Sequence, residues 1–438
     1  MRGAGRCALL AGAACLTLAG GASAADEHHE GPQAESARVM NTSPEGGLVH
    51  THASLPVLEA LTLRDALEAA VSRYPESAVL EARAGQADAW EARGRDWLAE
   101  RPSLSLRYQT DRWMDNDRLD EYEAGVLLPL WSWGSRSATQ AYGEALQAES
   151  GAASDSLRWE VAGYLRSTLW DIGLAQEELS LAKESLAIAQ RVAATVSRRY
   201  ELGDASLREV LMAQTAELEA RSRLVTAEAA VVDAERNYRS LTGLDARPPF
   251  RGESLSVLQS VPPDHPALTF ADAEIQRAES ARTLAQTRSA GSPSLLIGPR
   301  RERAADAEDF DDSIGVTLSV PFGPSAQRKT EVAAAQRDLA SASATRARHV
   351  RALTLALHEA AHGLAIVRES LGPANEQAAL AERQERMAML AYEQGEIELI
   401  ELIRLRGMAL AAKRRQLHLA VEEKRQIAFY NQAVGELP

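Results

Sequence analysis

Two hydrophobic periods alternate along this chain. Between Pro102 and Tyr108, Leu104, Leu106 and Tyr108 fall on one face and Ser103, Ser105 and Arg107 on the other, the period of two that marks a half-buried strand. An acidic, polar loop from Asp111 to Asp120 follows, then a second strand predicted from about Tyr122 to Trp131 and stopped by the Pro129 to Gly134 segment, which completes a β-hairpin. From Arg136 to Tyr200 the step changes to three and four without a proline. Ile172, Ala175, Leu179, Ala182, Leu186, Ala189, Ala193, Val196 and Tyr200 form one seam, and Leu174, Leu181 and Ile188 form a second, about 200° around the helix. A helix of this extent is roughly 95 Å long, and two seams on opposite sides give it neighbours on both flanks, as in the wall of a cylinder.

Gly203 then sits where the chain must reverse, a position that calls for φ > 0 without a Cβ clash. The return helix carries Leu211, Leu218, Val225 and Val232 at heptad spacing and ends near Thr242-Gly243. Upstream, a helix from Leu63 to Ala99 is expected to break at Tyr74-Pro75, because proline disfavours the helical region for the residue before it.

The whole plan repeats. Pro75 and Pro266, and the Pro-Ser-Leu runs at 102 and 293, are 191 residues apart. Leu-Pro129-Leu and Val-Pro321-Phe, Arg136 and Arg328, Tyr200 and Tyr392, and Gly203 and Gly395 are 192 apart, and Leu211, Leu218 and Val225 pair with Ile403, Leu410 and Leu417 at the same offset. One register across breaker, strand, helix and turn is a tandem duplication. In the second unit Ser294 to Ile297 reads as a weak strand and Ser313 to Val320 as a good one. Two hairpins give four strands, and known outer-membrane barrels begin at about eight, so strands of this kind predict a barrel shared among several copies.

Composition narrows the class. A net charge of −14 removes the basic face that nucleic acid requires. Arg2 and Arg6, the apolar run from Cys7 to Ala19 and Ala22-Ser23-Ala24 make a secretory signal with an A-x-A cleavage site. Both cysteines, Cys7 and Cys15, lie within it, so cleavage leaves no thiol to form a disulfide; a lipidated Cys15 is the alternative processing. Asp26 to about Leu58 lacks periodicity and reads as a disordered leader containing His28, His29, His50 and His52. No later stretch of 18 apolar residues stands out, so no helix is expected to span a membrane and any crossing is expected to be made by strands. The chain divides into a signal peptide (1–24), leader (25–58), first repeat (59–242), connector (243–264) and second repeat (265–438).

Residues 62–436 resemble an outer-membrane factor of the TolC family, the exit ducts of efflux pumps and type I secretion systems. The resemblance is carried by Tyr74-Pro75 and His265-Pro266, the Pro-Ser-Leu strand starts, the Leu-Pro129-Leu and Val-Pro321-Phe strand ends, and the paired Tyr-x-x-Gly turns followed by Glu-Val-Leu or Glu-Leu-Ile. It implies a mainly α protein of long antiparallel helical hairpins forming an α-helical barrel through the periplasm, and a homotrimer whose four strands per chain make one twelve-stranded outer-membrane β-barrel in contact with lipid. It also implies a periplasmic membrane-fusion adaptor and an inner-membrane pump of RND or ABC type as partners, with no cofactor and no chemistry of its own. In that family the turns close the tunnel and meet the adaptor. Here they comprise Tyr200, Gly203, Asp204, Tyr392, Gly395 and Glu396. Acidic residues six positions past the glycine ring the entrance, which implicates Glu209 and Glu401, flanked by Arg208 and by Arg404, where the family has a second acid. Rings of carboxylates favour cations, and with the leader histidines they lean towards heavy-metal efflux.

One motif argues otherwise. His358-Glu359-Ala-Ala-His362 fits H-E-x-x-H, in which two histidines one turn apart ligate zinc and the glutamate acts as base. The first repeat has Arg166, Ser167 and Trp170 at those places, so the duplication does not maintain it. A zinc metallopeptidase and a periplasmic coiled-coil adaptor or scaffold are therefore the competing readings. The latter leaves both strand pairs without a purpose.

Overall fold

A computed structural model describes residues 54–113, 118–249, 252–288, 291–304, 309–323 and 326–438. The expected signal peptide, Cys15 and the four leader histidines lie outside them. The packed chain starts earlier than the expected leader allows. Leu55 is buried, its amide donates to Glu235 Oε2 at 3.0 Å, and Val57 bridges Arg247 in parallel, so residues 54–58 belong to the fold.

Helix α1, Leu63–Arg73, opens with a capping box in which Thr62 and Asp65 satisfy each other's amides, and it ends at Tyr74 ahead of Pro75. Helix α2 spans Ser77–Arg95, four residues short of the expected Ala99. Strands β1 (Ser103–Thr110) and β2 (Asp120–Pro129) lead into α3, a 67-residue helix from Ser135 to Glu201, which turns back into α4, Leu207–Thr242. The second unit has α5 (Pro266–Arg288), β3 (Ser294–Arg303), β4 (Asp311–Ser319), the 68-residue α6 (Ala326–Glu393) and α7 (Leu399–Ala433). Among the described residues it has no counterpart of α1, because His265-Pro266 starts a helix instead of breaking one. One 18-residue window within Arg328–Glu393 of α6 reaches a mean hydropathy of 1.2, enough by length and composition for a membrane span; scattered charges had hidden it, and α6 packs along α5 and α7.

The strands form one antiparallel sheet in the order β1-β2-β3-β4, so the two hairpins are joined through β2 and β3. Strand β3 runs well past the weak stretch at 294–297. Pro299 and the following arginines break the sequence alternation there, and pairing with β2 and β4 supplies the register that the residues alone conceal. Leu104, Leu106, Val126, Ile297, Ile314, Val316 and Leu318 share one exposed face. Aromatic residues flank this apolar band, fully exposed Trp133 and Phe322 on the helix side and Tyr108 and Tyr122 towards the far turns, the girdle arrangement of a lipid-facing barrel wall. The other face is polar, and across its middle Ser105, Gly125, Gly298 and Gly315 stand side by side on successive strands. The strands approach so closely there that a Cβ on Gly298 would lie 1.9 Å from the Ala124 carbonyl oxygen.

Midway along α3, the principal core joins Leu67 of α1, Leu157, Val161, Leu165 and Ile172 of α3, and Tyr238 of α4. Beside it Arg166, 2% exposed, donates to both oxygens of Glu253 (2.9 and 2.7 Å), to Gln432 Oε1 and to the Glu436 carbonyl. One side chain thereby ties the connector and the C-terminal residues of the second repeat to the long helix of the first.

On α4 the row facing its own hairpin is Val210, Ala213, Ala220, Ala227 and Val231; Leu211, Leu218 and Val225 of the heptad row are exposed. Alanines permit close approach within the hairpin, which leaves the larger residues pointing away from it.

Candidate functional site: the two hairpin tips

Both tips are built alike at the backbone. Gly203 (φ 78°) donates to the Tyr200 carbonyl at 2.9 Å and Asp204 to that of Arg199 at 2.8 Å; Gly395 (φ 77°) donates to Tyr392 at 3.0 Å and Glu396 to Ala391 at 2.8 Å. A glycine supplies the left-handed residue that lets a long helix end and turn within a few positions.

Their side chains diverge. In the first tip Ser206 caps α4, and Glu209 bends back to accept from the Ser206 amide at 2.7 Å and hydroxyl at 3.0 Å, completing a capping box. In the second, Glu398 occupies the cap position without a side-chain bond, and Glu401 accepts two bonds from Arg404 at 2.9 and 2.5 Å. That pairing holds the Glu401 carboxyl below its ordinary value and raises the Arg404 guanidinium. Three of the four charges singled out from sequence thus fall into two separate units within a chain: Glu401 with Arg404, and Glu209 with Ser206. Arg208 is exposed, and among the described residues it forms no ion pair.

The residue that sequence reasoning missed is Arg199. Its guanidinium donates to Asp204 Oδ2 at 2.9 Å and to the Tyr392 carbonyl at 3.1 Å, and lies 5.0 Å from the centre of the Tyr392 ring. The bond to Asp204 raises the guanidinium pKa, and burial raises that of Tyr392, which is 1% exposed. Tyr200, its repeat equivalent, is half exposed. Beneath this link Val196, Val210, Tyr392, Leu399 and Leu402 pack the two tips together. The legible signal was the mismatch of Arg199 with Ala391 at an otherwise matched turn.

Next to the tips, α3, α6 and α7 enclose a cavity of about 410 Å³. Arg406 crosses it to the Ser185 carbonyl at 2.5 Å and lies 3.8 Å from Glu385. Burial lowers the Arg406 pKa and raises that of Glu385.

His358, Glu359 and His362 are exposed on α6 with the imidazoles parallel at 6.1 Å. Among the described residues no group of three His, Cys, Asp or Glu is arranged to hold a metal ion; a catalytic zinc takes three protein ligands.

Residues 76–244, spanning α2, the first hairpin of strands and the first hairpin of helices, match the family model of the outer membrane efflux protein. Over that part the chain is similar to outer membrane efflux proteins. Duplication carries the same plan into the second repeat. No curated protein matches this chain significantly. Solved structures do. The outer membrane protein VceC of Vibrio cholerae superposes with a TM-score of 0.69 at 14% identity, covering 86% of this chain and 97% of its own. The Campylobacter jejuni CmeC outer membrane channel gives 0.68 at 14% identity, covering 93% and 94%. The open state of the Neisseria gonorrhoeae MtrE outer membrane channel gives 0.60 at 15% identity, covering 94% and 97%. The chain therefore has the fold of the TolC-like outer membrane channels.

Proposed function

We propose that the protein is the passive exit duct of a tripartite efflux system: a homotrimer that joins a periplasmic membrane-fusion adaptor and an inner-membrane pump of RND or ABC type, and that carries heavy-metal cations outward. The observation that carries the reading is the four-stranded sheet. Its edges β1 and β4 have no strand partner among the described residues, one face is lipid-compatible and the other polar, and a sheet with free edges in a membrane requires more copies to close it. Three copies give twelve strands. The cation preference rests on Glu209 and Glu401 at the tips, with Arg208 and Arg404 moderating them, while Tyr200, Gly203, Asp204, Tyr392, Gly395 and Glu396 present the turns to the adaptor. Opening separates the tips where Arg199 grips Tyr392.

Fractionation with the outer membrane and a trimer band that collapses on heating test the assembly; a monomer in the soluble fraction would end the proposal. Single-channel recording in planar bilayers tests the tips. Replacing Arg199 with alanine is expected to raise the open fraction, and unchanged gating would remove that link from the closing contacts.

A further inference from the structure

The lipid-facing side of the sheet is not flat near its outer end. A groove of about 660 Å³ is lined there by residues 106–108 of β1, 122–124 of β2, 299–301 of β3 and 312–313 of β4. The pairing register puts seven of these on the apolar face: Leu106 opposes Ala124 and Ala124 faces Pro299, while Tyr108, Tyr122, Arg301 and Asp312 form the next rung. The depression has a local cause. Ala124 and Pro299 are small, and the ladder between β2 and β3 is interrupted where Pro299, without an N–H, meets Ala124. Its floor is aliphatic and one wall is the Tyr108–Tyr122 stack, with centroids 4.9 Å apart.

Its outer rim is cationic. Arg301 and Arg303 lie over the Phe310 ring at 4.9 and 4.7 Å. Arg303 and Arg112 share the single buried carboxylate of Asp120 at 2.6 and 3.0 Å, and Arg301 is 3.6 Å from exposed Asp312. Three guanidiniums thus face two carboxylates. Register places Glu121, Glu123 and Glu302 on the opposite, polar face, while Asp111 and Asp309 lie in the two outer turns.

We propose that this groove binds a phosphorylated glycolipid of the outer leaflet, one acyl chain along Leu106, Ala124 and Pro299 and a phosphate on Arg301 and Arg303. An apolar channel ending in guanidiniums at the level of an aromatic girdle matches a ligand with hydrocarbon below and phosphate above, and arginine presents the forked donor geometry that phosphate favours. The proposal rests on the reading of the strands as a wall segment of a shared barrel.

The test uses the full-length trimer in mild detergent, stripped of lipid, then incubated with purified short-chain lipopolysaccharide or with phosphatidylglycerol vesicles, with bound lipid counted by native mass spectrometry. Lipopolysaccharide is expected to remain bound in preference to phosphatidylglycerol. Arg301→Gln with Arg303→Gln is expected to lower retention about tenfold or more. Ala124→Phe, which fills the groove and touches no arginine, is expected to do the same, and Glu302→Gln on the other face to leave it unchanged. Equal retention of the two lipids, or full retention by both groove variants in a heat-sensitive trimer, overturns the proposal. A protein that never forms that trimer sinks the barrel reading instead.

Discussion

At Glu209 the cap and the gate ask for different things of one carboxylate. The capping box needs an acceptor three residues into the helix, which glutamine also supplies; a cation-attracting ring needs the charge. Glu209→Gln is therefore expected to keep the tip stable and lower cation preference in planar bilayers, while Glu209→Ala also loses about 1 kcal/mol of helix-end stability. Identical ion selectivity in wild type and Glu209→Gln would confine this residue to capping. Arg166 makes a different demand, since its removal strands Glu253 and the Gln432 and Glu436 acceptors in a closed pocket. Arg166→Met is expected to cost about 3–5 kcal/mol, read as a lowered thermal midpoint of the helical signal. Backbone closeness decides the outcome at Gly298, where Gly298→Ala forces a methyl group against the β2 backbone and is expected to abolish the heat-sensitive trimer.

Among the elements, the start of α5 has a pH dependence built into it. His265 is 1% exposed against Trp159, with Nδ1 accepting from the Ala267 amide at 3.1 Å, and burial pushes its pKa down to about 4. The unfolded chain takes up that proton near pH 6.5 and the folded one does not. The stability it permits is thus fully present above pH 6.5, falls as pH drops from there towards about 4, and levels off below, on the order of 3 kcal/mol in all. His265→Phe is expected to flatten denaturation curves measured across that window; an unchanged pH profile would exonerate the histidine. Elements like this one also show what the sequence could convey. The long helices, both glycine turns and the tandem register were legible because proline, glycine and apolar spacing act locally. The full length of β3 was not, since its second half is held by β2 and β4 and not by its own pattern. The division of labour between the tips was written locally, in Ser206 three residues before Glu209 and Glu398 three before Glu401, and the capping geometry is what gives that difference its meaning.

For the molecule as a whole, the exposed ridge of Leu211, Leu218 and Val225 is apolar surface with no partner in its own hairpin. In the proposed trimer it packs against a neighbouring copy. Leu218→Glu is expected to preserve helix content by circular dichroism while weakening the trimer on heated gels, and an unaffected trimer would place that ridge elsewhere. The row formed by Ser105, Gly125, Gly298 and Gly315 carries this view to the passage itself. In the proposed trimer, three copies of it line the barrel's interior with almost nothing but main chain. Such a collar gives a passing molecule no greasy foothold and no fixed charge to linger on. At this rung the passage is indifferent to cargo, and the charged positions of the same face, Arg107, Glu121, Glu123, Arg300 and Glu302, stand farther towards the outer turns.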